Sequence, residues 1–133
     1  PVAELPHPWL PNGYYTIEFP CGTHKTLRIH TQRGGTFAGK RLVSLLIGAD
    51  NTSDYEGFGE IVPAAAVVWV WKRFQGTRTA EYAGMLVEMA RGVELDGHRL
   101  LMSRRCLRCN RELTTPQSIE RGIGPECERL ERR

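Results

Sequence analysis

The stretch HKTLRIHT, residues 24–31, alternates along its length: Leu27 and Ile29 fall on one side, and His24, Thr26, Arg28 and His30 on the other. A period of two is the mark of a strand with one face turned to a core. Its neighbours agree. Upstream, YYTIEF (14–19) is aromatic and β-branched and runs into the turn PCGT, so both segments read as strands. The opening PVAELPHPWLPNG holds four prolines in thirteen residues and reads as an extended arm, with Trp9 and Leu10 pinned to the core.

Downstream, TQRGGTFAG is a glycine-rich loop, and RLVSLLIG (41–48) is too uniformly apolar to orient, suiting a buried strand or a short helix. ADNTSDYEGFG reads as an acidic turn or long loop. Its likeness to a calcium loop is superficial, because Tyr55 stands where an EF-hand requires glycine. FGEIV and AAVVWVWKRF (65–74) form a hairpin, with Trp69 and Trp71 on one face, Val68 and Val70 on the other, and the tryptophans read as core. A small antiparallel sheet of four or five strands is therefore predicted before residue 76.

The pattern then changes period. In TAEYAGMLVEMARG, Tyr82, Met85, Leu86, Met89 and Ala90 recur at helical spacing, a stripe suited to packing on the sheet. Thr79 is the expected N-cap, Glu81 lies in the first turn, and Arg91 and Gly92 close the helix. VELDGHRLLM turns at Asp96-Gly97 and enters a strand leading to the cysteines.

Hydrophobic content of 41% and charged content of 25% are ordinary for a globular chain. No apolar run approaches the roughly 20 residues that a membrane helix needs. The first residues lack a cationic segment followed by an apolar one, so a cytosolic, reducing location is expected. There, cysteines are better read as metal ligands than as disulfides. The charge is uneven: residues 1–100 balance ten Lys and Arg against ten Asp and Glu, whereas 101–133 carry eight Arg against five Glu. The whole excess of +3 therefore surrounds the cysteines, which is compatible with a polyanionic partner without demanding one.

Three of the four cysteines lie in CLRCNRELTTPQSIERGIGPEC, residues 106–127. Cys106 and Cys109 have knuckle spacing, in which a tight turn lets two thiolates grip one tetrahedral zinc ion. Thr115 and Pro116 open a short helical turn that Gly122 ends. Gly124-Pro125 starts a terminal helix with Cys127 in its first turn, where the thiolate is favoured. A treble-clef-like or ribbon-like zinc module is predicted. Its fourth ligand is open between His98, on the preceding strand, Cys21 or His24, which form a Cys-x-x-His pair, and water.

This segment resembles a domain-of-unknown-function family of small phage and actinobacterial proteins. The shared pattern is carried here by Cys106, Cys109, Arg111, Leu113, Thr114, Pro116, Ser118, Ile119, Gly122 to Pro125 and Cys127. The upstream β-rich run extends the likeness more loosely. The resemblance implies a metal-binding fold in a phage or mobile-element setting, with no established activity.

The expectation is thus an α+β protein: a β-rich domain at 1–76, a linking amphipathic helix and turn at 77–99, and a zinc module at 100–133. Three functions compete. A non-catalytic nucleic-acid-binding protein would use Arg104, Arg105, Arg108 and Arg111 at the knuckle, with Lys25 and Arg28 upstream and the His24–His30 face as a further contact. A zinc-stapled protein-interaction module would instead dock on a phage or host protein. An enzyme would have to rely on His24, Arg28 and His30, since no deaminase, His-Glu-x-x-His, Walker or nucleophile-elbow motif is present. Oligomeric state and sequence preference are not legible.

Overall fold

A computed structural model describes residues 10–50, 53–62, 67–102, 113–121 and 129. Six strands form one sheet: β1 (Gly13–Glu18), β2 (His24–Thr31), β3 (Arg41–Leu46), β4 (Tyr55–Val62), β5 (Val67–Val70) and β6 (Arg99–Met102). The order is β5-β4-β3-β2-β1-β6, with every neighbouring pair antiparallel, and the sheet curls into a half-barrel. The first five strands are a meander. The chain then passes through a 3-10 turn (Lys72–Phe74) and α1 (Arg78–Ala90), returning at the far edge as β6 beside β1. A short α2 (Pro116–Arg121) follows.

The period-two reading of β2 holds. Leu27 and Ile29 are essentially inaccessible, and they join Tyr15, Ile17, Val43, Leu45, Phe58 and Ile61 under α1, which contributes Ala83 and Leu86. Tyr82, Met85 and Met89 flank that contact, whereas Ala90 is exposed; Ala83 takes the place in the stripe that Ala90 was expected to fill. The N-cap is Thr77 rather than Thr79: its hydroxyl oxygen accepts from Ala80 N at 3.5 Å, two residues earlier than expected. Arg91 caps the other end, and Gly92 leaves it with φ of 89°.

RLVSLLIG is a strand because it sits mid-sheet between β2 and β4, covered on both faces. The acidic stretch after it was expected to be a turn or long loop leading to a strand at FGEIV, yet β4 already begins at Tyr55. In β4 the register shifts: Val43 faces Gly59 and Ser44 faces Gly57, making Phe58 the extra residue of a bulge. The bulge resets the alternation, so that Phe58 and Ile61, three apart, both reach the core.

The hairpin β4–β5 forms as predicted, with its faces assigned the other way round. Val68 and Val70 pack on the core, while Trp69 is 57% exposed. The N-terminal arm is tied to the sheet at Leu10, which is buried with φ of 50°; Arg41 donates to the Leu10 carbonyl, and Tyr15 Oη donates to that of Pro11.

Candidate nucleic-acid interface

The face of the sheet opposite α1 is organised in rows that run across the strands. One row is Tyr14, Arg28, Ser44 and Gly57, each opposite the next, with the Trp71 ring seated over Gly57. A second is His30, Leu42, Glu60 and Trp69. A third joins Leu101, Thr16 and Thr26. Part of this third row is closed by the C-terminal segment. Thr16 and Thr26 share a hydroxyl hydrogen bond of 2.9 Å, Thr16 donates to the Thr114 carbonyl at 3.3 Å, and Leu113 and Ile119 pack with Leu101. Beyond that cover, the face presents aromatic and cationic groups.

The Arg28 guanidinium lies 4.7 Å from the Tyr55 ring centroid, and Tyr14 meets Tyr55 edge-on at 5.7 Å. Such cation–π contacts are worth about 0.5–2 kcal/mol and fix the orientation of the planar fork. Phe37, from the glycine-rich loop, stacks on Trp71 at 5.2 Å and an interplanar angle of 21°. Lys40 Nζ sits 3.4 Å from Glu60 Oε2 and 5.9 Å from the Phe37 centroid. Trp69 stands beside this cluster, exposed.

Two polar atoms on this face are shielded and unmatched among the described residues: Arg28 Nε and His30 Nδ1. His30 Nε2 and Gln32 Oε1 lie 3.2 Å apart, and in the tautomer that donates to Gln32 the Nδ1 atom is an acceptor. Burial, helped by the charge of Arg28 and opposed by the Gln32 hydrogen bond, holds the His30 pKa below its ordinary value. His24 is also lowered by burial, with Glu18 opposing.

Of the residues singled out by sequence, Arg28 lies on this face and Lys25 on the other, its ammonium 5.8 Å from the Tyr82 centroid near α1. The structure therefore does not bring these two cations together. His24 and His30 share the face but stand six positions apart, roughly 20 Å along a strand, too far to act on one reacting atom. Cys21 is exposed in the β1–β2 turn, and its Sγ lies 3.0 Å from Thr23 Oγ1, a contact that lowers the thiol pKa. His98 Nδ1 donates to the Asp96 carbonyl at 2.8 Å, and its ring meets Phe19 edge-on at 5.4 Å. It lines an open cleft of about 520 Å³ with Met89, Val93 and Leu100.

Cys21, His24 and His98 all lie toward the end of the sheet where β6 begins. Met102, from which the chain continues toward Cys106, is about 13 Å farther along the strand from His98. Cys106, Cys109, Cys127, Arg104, Arg105, Arg108 and Arg111 lie outside the described residues, as does Trp9. Among the described residues, no three His, Cys, Asp or Glu side chains come together as a metal site.

Sequence reasoning missed Tyr55 and Phe37 as members of this face. Tyr55 was hidden by the acidic residues before it, and Phe37 reaches the face from a loop whose fold no periodicity announces. No helix among the described residues is long and apolar enough to cross a membrane. No curated protein and no solved structure matches the chain. Residues 101–132, which take in the end of β6, Leu113, Thr114 and α2, match a family of unknown function (DUF6011).

Proposed function

We propose that the chain is a non-catalytic, zinc-stabilised protein that binds single-stranded nucleic acid across the sheet face opposite α1. The observation that carries this reading is Trp69, a large ring 57% exposed on an edge strand, set beside the Phe37–Trp71 stack and the Arg28–Tyr55 pair. Exposed aromatics interleaved with cations on a sheet are the physical means by which bases are stacked and phosphates held. The zinc is assigned to Cys106, Cys109 and Cys127, with His98, Cys21 or His24 as candidates for the fourth position. Arg104, Arg105, Arg108 and Arg111 would extend the cationic surface from that module.

A second reading, docking of a phage or host protein, draws on the same exposed edge. Val67 and Trp69 on β5 would suit addition of a partner strand. Salt separates the two. Anisotropy of labelled single-stranded RNA and DNA should show binding that weakens linearly in the logarithm of salt concentration. Absence of binding at low salt would dismiss the nucleic-acid reading. In that case, capture of a protein with salt-insensitive affinity would favour docking.

A further inference from the structure

We propose, resting on the nucleic-acid reading of this face, that residues 113–121 are a built-in cover that competes with the nucleic acid for it. The covered row of Leu101, Thr16 and Thr26 adjoins the row of Tyr14 and Arg28, two residues away along β1 and β2, or about 7 Å. Leu113, Thr114, Pro116 and Ile119 are buried where this segment lies on the sheet. A single strand laid from Trp69 over Arg28 therefore meets the cover next, and a longer one has to lift it.

The floor beneath the cover differs from that of the core. Toward α1 the same two strands turn Tyr15, Ile17, Leu27 and Ile29, whereas under the cover they present the hydroxyls of Thr16 and Thr26. Thr16 gives its one proton to the Thr114 carbonyl, so the proton in the Thr16–Thr26 bond comes from Thr26. The pair keeps that inner bond when Thr114 leaves, and it then offers a single outward proton to another acceptor. Phosphate oxygens and base carbonyls are acceptors, so a nucleic acid replaces the Thr114 carbonyl without stranding a polar group. Among the described residues, the apolar seal is Leu113 and Ile119 against Leu101, while eleven buried residues make up the core under α1. So small a contact opens more readily than the core does.

The test follows amide hydrogen exchange of the full chain with single-stranded oligomers of about 4 to 16 nucleotides. The readout is the Ile119 amide, which donates to the Thr115 carbonyl at 3.0 Å. The shortest oligomer should leave it as protected as in the free chain, and the longest should speed its exchange while β2 stays protected. Ile119→Ser and Leu113→Ser loosen the seal. Each should raise affinity for the longest oligomer by about 5- to 150-fold, the span of coupling between two sites, and leave that for the shortest unchanged. Ile119 protection that survives saturation by the longest oligomer overturns the cover and leaves the nucleic-acid reading standing. So does unaltered or weakened binding by the folded variants, or an Ile119 amide already unprotected in the free chain. Should a variant fail to fold, exchange in the unsubstituted chain decides. Failure of every oligomer to bind at low salt removes both readings.

Discussion

Gly59 is where the hairpin that presents Trp69 is most sensitive to a single added carbon. A Cβ at this position would lie 2.5 Å from the Trp69 carbonyl oxygen and 3.3 Å from both the Trp69 carbonyl carbon and Val70 Cα. All three atoms belong to the partner strand's backbone, which cannot rotate away as a side chain could. Gly59→Ala must therefore push β5 off β4 and loosen the ladder from Gly59–Val70 to Val62–Val67. Overpacking of this kind costs about 1–3 kcal/mol, and the reduced freedom of the unfolded chain returns about 0.4–1. The net loss is about 1–2 kcal/mol, or roughly 4–8 °C in Tm for a chain of this size.

Gly57, two residues earlier, is the internal control. A Cβ there would meet the Trp71 ring at 3.5 Å, an ordinary contact, so Gly57→Ala should be neutral or slightly stabilising. Thermal and urea unfolding followed by circular dichroism compare the two. Equal stability of the variants, or a more stable Gly59→Ala, would refute the close approach of β5 to β4 at this point. Where Gly59→Ala remains folded, its displaced β5 should also weaken oligonucleotide binding, because Trp69 moves with the strand.

Other expectations follow from the core, the histidines and the cysteines. Leu86 is fully buried where α1 meets the sheet, so Leu86→Ala should lower unfolding free energy by about 2–5 kcal/mol in urea titrations. His24 and His30 both have pKa values held below the unfolded value of 6.5, chiefly by burial. Above 6.5 neither state is charged; between that value and the folded ones, the unfolded chain takes up protons that the folded chain refuses. Stability should therefore be full above pH 6.5 and decline as the pH falls through the folded values, and His30→Phe should flatten part of that decline in unfolding measured across this window. Purified protein should carry about one zinc per chain, lost in Cys106→Ser; comparing Cys21→Ser, His24→Ala and His98→Ala by metal analysis assigns the fourth position.

The sheet was legible where one face is wholly buried and the chain alternates. Leu27 and Ile29 identified β2 and its orientation without help, because a one-residue slip would have turned both to solvent. The same rule separates Trp69 and Trp71 from Val68 and Val70, but period alone does not say which set points inward. That choice is made by α1, which packs over the valine side. The helix was readable from its stripe and its Gly92 exit, whereas Thr77 and Thr79 carry the same capping chemistry and only the start of the first turn distinguishes them. Pairing of β6 with β1 is a contact across more than eighty positions, invisible to any local pattern. So is the hydrogen bond from Thr16 to the Thr114 carbonyl, which covers one end of the polar face. Arg28 was singled out by charge, but its role depends on Tyr55, Tyr14 and Ser44, which three other strands deliver.

The most direct test of the proposed binding face is a nuclear magnetic resonance titration of the isotope-labelled full chain with a single-stranded oligonucleotide. The account predicts that the Trp69 and Trp71 indole signals and the amides of residues 28–30 and 55–60 shift together and saturate. The solvent side of α1, including Gly84 and Glu88, should stay unmoved. Shifts confined to α1, or none across the sheet while the oligonucleotide binds elsewhere, would contradict it.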